Sequence, residues 1–154
     1  MFQARSRFFW LVSLFLCCKS TLLFGALRTE PWLTQPAIAF LEGFFKENPE
    51  AYVLEFGSGA STLWIAQRTP NLYSVEHAPS WYTKIGEKLK ESGAEHVHYV
   101  LAERPYYTVC DEFPDDFFDL IIVDGRNRKG CIAHSIPKLK PGGILMLDNA
   151  ERAR

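Results

Sequence analysis

Apolar and polar positions fall into blocks that predict alternating helices and strands along most of the chain. Residues 34–45 place apolar side chains at helical spacing, and Thr34 stands where such a helix would be capped. The run AYVLEF at residues 51–56 has few polar interruptions, which predicts a buried central strand. Gly57 and Gly59 follow directly, and a helix-forming stretch comes after them. This segment therefore predicts a strand, a tight turn and a helix.

The same alternation continues to the end of the chain. Short apolar runs that end at turn residues predict four more strands, at 72–77, 96–101, 120–123 and 144–149. Helical patterns occupy 61–68, 80–92 and 131–139. The polar stretch 102–116 predicts a loop, and KPGG at 140–143 predicts a turn before the fifth strand. Strands joined by helical crossovers predict an α/β fold with five parallel strands.

The amino-acid composition indicates the number of domains, the kind of partner and the cellular compartment. The chain has 154 residues, of which 47% are hydrophobic, so it can form one core, and residues 31–154 are predicted to be one domain. A net charge of -1 gives no general attraction to nucleic acid, and no nucleic-acid partner is expected. Four cysteines without a CxxC pair suit a reducing compartment, which favours a cytoplasmic location.

The N-terminal segment, residues 1–30, is the exception to this picture. Arg5 and Arg7 precede the apolar run FFWLVSLFLCC, and a second apolar patch follows. That composition fits either a helix that covers the domain or a membrane-directed segment at 8–27. The uninterrupted run is shorter than the roughly 20 residues that a membrane span needs. Both interpretations stay open, and the second predicts membrane association through this segment.

Acidic residues stand at the ends of four predicted strands. They are Glu55, Glu76, Asp124 and Asp148. The carboxyl ends of parallel strands meet at one edge of the sheet, where α/β proteins bind ligands. A glycine turn with an acid at the next strand end suits dinucleotides and S-adenosylmethionine, whose ribose hydroxyls donate to a carboxylate. Thr62 stands where a dinucleotide fingerprint needs a third glycine or alanine, and Glu55 precedes the glycines, so both positions disfavour NAD.

At four motifs the chain resembles the class I S-adenosylmethionine-dependent methyltransferases. The motifs are EFGSGAS at 55–61, SVEH at 74–77, FDLIIVDG at 118–125 and LKPGGILMLDN at 139–149. The resemblance covers residues 34–150 and implies a Rossmann-like, doubly wound sheet with strand order 3-2-1-4-5 and S-adenosylmethionine as cofactor. The family's sheet usually has two further strands, which are missing here. The chain is expected to be either a fragment or a minimal version.

The resemblance also implies which residues bind the cofactor. They are Glu55, Gly57, Ser58, Gly59, Glu76, His77 and Asp124. Within this set, Glu55, Gly57 and Gly59 shape the pocket for the methionine part, and Glu76 accepts hydrogen bonds from the ribose hydroxyls. A cationic sulfonium suits a pocket edged by carboxylates, which would repel a diphosphate. His77 has an alternative interpretation as a capping or surface residue.

A second resemblance, to metal-dependent small-molecule O-methyltransferases, concerns the fourth and fifth strand ends. It implies that Asp124, Asp148 and Asn149 bind a magnesium or calcium ion, which would make an acceptor hydroxyl more acidic. Alternatively, Asp148 or Asn149 caps a following helix. The lysine base of those enzymes also comes earlier in the chain than Lys129 does here.

The basic loop after the fourth strand suggests the acceptor. Arg126, Arg128 and Lys129 follow the strand end where the acceptor would lie, which favours a small, anionic molecule, although a solvated loop has the same composition. Asp124, Arg126 and Arg128 are the candidates for catalysis. The resulting hypothesis is O-methylation of a small or carbohydrate-like acceptor. The alternatives are a non-catalytic binding or scaffold domain of the same fold and, less favoured, an NAD-dependent oxidoreductase.

Overall fold

The computed structural model of the protein describes residues 30–103 and 105–150. The predicted N-terminal segment lies outside these residues except for Glu30. Among the helices of the described ranges, none is both long enough and apolar enough to cross a membrane.

Four helices and five strands alternate in the described chain. In order they are α1 (Gln35–Glu47), β1 (Val53–Phe56), α2 (Ala60–Ala66), β2 (Leu72–Glu76), α3 (Pro79–Glu91), β3 (His98–Leu101), β4 (Phe118–Val123), α4 (Arg128–Ser135) and β5 (Leu139–Leu147). Two short 3₁₀ helices, Tyr106–Glu112 and Ile136–Lys138, lie on either side of β4 and α4.

The five strands form one parallel sheet with the order β3-β2-β1-β4-β5, which confirms the predicted fold. Phe56 at the end of β1 aligns with Val75 of β2 and Val123 of β4, so β1 and β4 end level and β2 extends one residue further, to Glu76. The strand order reverses between β1 and β4. In α/β sheets this reversal opens the crevice in which ligands bind.

Alternate side chains of the central strands enter two apolar layers. Val53 of β1 packs with α1, α2 and α3 on one face of the sheet. Leu54 and Phe56 pack on the other face, against the 3₁₀ helix Tyr106–Glu112 and α4. All three side chains are completely buried. A strand covered on both faces has no need of polar positions, which explains the continuous apolar run in the sequence.

Three local predictions differ from the structure. Helix α4 begins at Arg128 instead of residue 131, because Asn127 adopts a left-handed conformation and its Oδ1 accepts a hydrogen bond from the Gly130 N–H. The predicted turn at 140–143 lies inside β5 as an irregularity, since Phe118 pairs with Leu139 but Leu120 pairs with Ile144. The predicted loop 102–116 contains the 3₁₀ helix Tyr106–Glu112.

Candidate functional site

The glycine turn lies where the strand order reverses, in direct contact with the end of β4. Gly57 has a φ of +94°, and a Cβ atom added there would lie 2.7 Å from the Gly125 nitrogen. Both the backbone conformation and the contact therefore require glycine at this position. Gly59 differs, because its backbone is extended and an added Cβ would meet nothing within 4 Å. The bare backbone at Gly59 leaves room for a ligand next to the turn.

Glu55 lies beneath this turn and is completely buried. Its carboxylate accepts hydrogen bonds from three hydroxyls, at 2.5 Å from Ser61, 2.6 Å from Thr62 and 2.7 Å from Ser74. The Thr62 hydroxyl also accepts from the Gly59 N–H at 2.9 Å. Burial raises the pKa of Glu55, against the effect of the three donors. Glu55 thus links β1, β2 and α2, and it reaches the predicted cofactor pocket only through the residues that it positions.

Glu76 ends β2 and faces the glycine turn. Its Oε2 accepts from the N–H of Ser58 at 3.1 Å and from the Ser58 hydroxyl at 2.9 Å. Its Oε1 accepts from the N–H groups of His77 at 2.8 Å and Ala78 at 2.9 Å. The residue is only 3% exposed. The structure therefore places the predicted ribose-binding carboxylate next to the turn, where four protein donors surround it.

Two aromatic residues hold Ser58 from the side of α3 and β3. The Trp81 indole donates to the Ser58 carbonyl at 2.6 Å, and the Tyr99 hydroxyl lies 2.7 Å from the Ser58 hydroxyl. Tyr99 also stacks on Tyr82, with ring centroids 4.5 Å apart. These contacts cannot be predicted from the sequence, because a tyrosine in an edge strand is common and the partners are 23 and 41 residues from Ser58. Together they fix the conformation of the glycine turn.

His77 lies between Glu76 and the loop after β4. Its Nδ1 is 3.0 Å from Glu76 Oε1 but, among the described residues, it has no partner with hydrogen-bond geometry. The imidazole stacks on Tyr106, whose hydroxyl donates to the Arg126 carbonyl. His77 is therefore half-buried next to the predicted site and is not a simple surface residue.

The end of β4 carries a second polar cluster. Asp124 lies beside Asp148, and burial together with this neighbouring carboxyl raises the pKa of Asp124 to about 7. Arg128 donates to the carbonyls of Gly125 and Asn149, both at 3.2 Å, and its Nη2 lies 3.6 Å from Asp124 Oδ1. Arg128 thus connects the ends of β4 and β5.

The structure separates the two predicted acceptor-binding arginines. Arg128 is half-buried and bound to the backbone, whereas Arg126 is exposed. Within residues 30–103 and 105–150, the Arg126 side chain forms no ion pair. Lys129 is exposed as well. Arg126 and Lys129 therefore keep the accessibility that binding an acceptor needs.

The three predicted metal ligands come to the same strand edge, where protein groups already occupy some of their polar atoms. The Asn149 amide donates to the Asp148 carboxylate, and the nearest positive charge to Asp124 is the Arg128 guanidinium. The described part of the chain holds no group of three or more acidic, histidine or cysteine side chains placed to bind a metal ion. Metal binding by Asp124, Asp148 and Asn149 stays a prediction.

Comparisons with known proteins give a family match. A family model described as "Methyltransferase domain" matches residues 54–150. A search of curated proteins finds no match.

Several solved structures share the fold. A putative caffeoyl-CoA O-methyltransferase from Staphylococcus aureus aligns with a TM-score of 0.65 at 18% identity, over 77% of this chain and 59% of its own. The YcgJ protein of Bacillus subtilis aligns with a TM-score of 0.56 at 20% identity, over 71% of this chain and 50% of its own. An S-adenosylmethionine-dependent methyltransferase from Thiobacillus denitrificans was solved with S-adenosyl-L-homocysteine. It aligns with a TM-score of 0.54 at 17% identity, over 75% of this chain and 48% of its own. The chain thus spans between 48% and 59% of these structures.

Proposed function

The chain belongs to the methyltransferase domain family, and we propose that it transfers the methyl group of S-adenosylmethionine to an oxygen of a small, anionic acceptor. The family match runs from within β1 to just beyond β5 and includes the glycine turn. Similar folds include one solved with the demethylated cofactor. These findings support the cofactor, and the acceptor rests on the chain's own residues.

The observation that carries the proposal is Glu76 beside the glycine turn. A ribose diol is a pair of hydroxyl donors, and a carboxylate at the second strand end of such a sheet is its usual acceptor. Thr62 supports S-adenosylmethionine over NAD, because it stands at the position where the dinucleotide fingerprint needs glycine or alanine. Its side chain is buried, and its hydroxyl donates a hydrogen bond to Glu55. A glycine at this position would remove the hydroxyl that joins Glu55 to Gly59.

The chemistry assigned to the site is a direct displacement. The acceptor oxygen attacks the sulfonium methyl carbon, the carbon–sulfur bond breaks, and S-adenosylhomocysteine leaves as a neutral thioether. Asp124 is the group proposed to take the proton of the acceptor hydroxyl, because its pKa near 7 suits a general base at neutral pH. Arg126 and Lys129 supply positive charge for an anionic acceptor. The remaining contribution is the positioning of the two reactants.

Calorimetric titration with S-adenosylmethionine, S-adenosylhomocysteine and NAD tests the cofactor. We expect the first two to bind and NAD not to bind. Glu76→Gln should weaken S-adenosylhomocysteine binding about tenfold to hundredfold, because a hydrogen bond to a charged group contributes about 1.5–3 kcal/mol. Glu87→Gln, on the exposed face of α3, is the matched control and should bind normally. Binding of NAD in preference to S-adenosylhomocysteine would overturn the proposal.

Turnover needs a separate measurement, because a non-catalytic domain of this fold would also bind the cofactor. Transfer of a labelled methyl group to a panel of small hydroxylated anions should be detectable, and Asp124→Asn should abolish it. Cofactor binding without transfer to any acceptor in the panel would favour the non-catalytic alternative. Repeating the assay with a chelator tests the metal prediction, since unchanged activity would exclude a catalytic metal.

A further inference from the structure

The four hydrogen-bond donors around Glu76 differ in whether they can move. Three of them are backbone N–H groups, which the fold holds in place, and the fourth is the Ser58 hydroxyl, which can rotate. A carboxylate has about four acceptor directions, so these donors occupy all of them. An additional donor must therefore displace one that is already there. The Ser58 hydroxyl is the donor that can leave without a movement of the backbone.

Tyr99 offers the displaced hydroxyl another partner. Its Oη lies 2.7 Å from Ser58 Oγ. Ser58 has one hydroxyl proton and donates it to Glu76, so in this arrangement the proton between the two hydroxyls belongs to Tyr99. Burial raises the pKa of Tyr99 well above its usual value, which keeps the phenol protonated. The chain of donors runs from Tyr99 to Ser58 to Glu76.

We propose that Ser58 and Tyr99 form a hydroxyl switch that sets the affinity of Glu76 for the ribose diol of the cofactor. Without ligand, Ser58 donates to Glu76. When the diol binds, one of its hydroxyls takes the acceptor position that the Ser58 hydroxyl leaves. The Ser58 hydroxyl rotates and donates to Tyr99 Oη, and the phenol proton turns towards solvent, which the half-buried ring allows. This inference rests on the proposed function. Tyr99 is a positioning residue, since it acts on Glu76 through Ser58.

The switch predicts opposite effects for the two hydroxyls. Ser58→Ala removes the donor that competes with the ribose, so S-adenosylhomocysteine should bind about two- to tenfold more tightly. Tyr99→Phe removes the acceptor that receives the rotated Ser58 hydroxyl, so a buried donor is left unpaired in the complex and binding should weaken by a similar factor. In the Ser58→Ala background, Tyr99→Phe should have no effect. A merely structural Tyr99 would cause the same loss in both backgrounds.

The experiment is calorimetric titration of S-adenosylhomocysteine into the full chain, the two single variants and the double variant, with thermal unfolding to show that each is folded. Tyr82→Phe is the control. Tyr82 stacks on the Tyr99 ring, but its hydroxyl contacts the backbone carbonyl of Tyr99, at 3.4 Å, and not the Ser58 hydroxyl. This variant should bind normally. Ser58→Gly replaces Ser58→Ala if the latter does not fold. The 2′,3′-dideoxy analogue should bind all the variants alike, since it cannot displace the hydroxyl.

Three outcomes would contradict the inference. They are weaker binding by Ser58→Ala, an equal effect of Tyr99→Phe in both backgrounds, and the same pattern with the dideoxy analogue. Each of them leaves the proposed function standing as long as the unaltered protein binds S-adenosylhomocysteine. Absence of that binding overturns the proposed function and this inference together.

Discussion

Replacing Gly57 by alanine tests the central feature of the site, the contact between the turns that follow β1 and β4. Two costs are expected. The φ of +94° is strained for any residue with a Cβ, at about 1–3 kcal/mol. The Cβ would also lie 2.7 Å from the Gly125 nitrogen and 2.8 Å from its Cα, and relieving such overpacking costs about 1–3 kcal/mol. The free energy of unfolding should therefore fall by about 2–6 kcal/mol.

Two other glycines separate these costs. Gly93 has a φ of +70° but nothing within 4 Å of an added Cβ, so Gly93→Ala should show the conformational cost alone, about 1–2 kcal/mol. Gly59 has an extended backbone and open space around it, so Gly59→Ala should cost nothing measurable. Urea unfolding followed by far-UV circular dichroism gives the three free energies. If Gly57→Ala were no less stable than Gly93→Ala, the contact between the two turns would not constrain the fold.

Three further predictions concern charged groups. Burial raises the folded-state pKa of Glu55 above its usual 4.5, so ionisation of Glu55 costs stability as pH rises above 4.5. Glu55→Gln should therefore gain stability relative to the unaltered protein as pH rises from 4.5, as measured by urea unfolding, and a flat or falling difference would contradict this. Arg126→Ala should weaken binding of an anionic acceptor and spare cofactor binding. Arg128→Ala should lower the unfolding temperature, because Arg128 donates to two backbone carbonyls. If Arg128→Ala weakened acceptor binding and Arg126→Ala did not, Arg128 would be the acceptor residue. If Asp148 binds a metal ion, magnesium should raise the unfolding temperature of the unaltered protein but not of Asp148→Asn, and an equal response of both would exclude Asp148 as a ligand.

The order of elements could be predicted from the sequence because each has its own periodicity. The buried strand β1 reads as a continuous apolar run, and the two glycines mark the turn after it. The order of the strands in the sheet needed the resemblance to a known family, since periodicity gives the type of an element and not its neighbours. That β1, β2 and β4 end within one residue of one another then follows from parallel pairing.

The contacts inside the site could not be predicted, because they depend on which residues face each other across strands. Ser74 could have indicated a polar partner for Glu55. It is a polar residue in the middle of the apolar strand β2, and it pairs with Glu55 of β1. Nothing in the sequence indicated that Tyr99 meets Ser58. The irregularity in β5 was hidden as well, since KPGG has the composition of a turn and its two glycines are accommodated within the strand.

The meeting of Gly57 and Gly125 has a consequence for the exchange of parts between related proteins. A Cβ at Gly125 would overlap the Tyr106 hydroxyl and approach the Phe56 carbonyl, so neither glycine can be enlarged to compensate for a change in the other. The turn that holds Gly57 and the turn that holds Gly125 are therefore a matched pair, although they lie 68 positions apart in the chain. A chimaera that takes one loop from a relative must take its counterpart as well. A library aimed at new acceptors can vary Arg126 and Lys129 freely, but it must leave both glycines untouched.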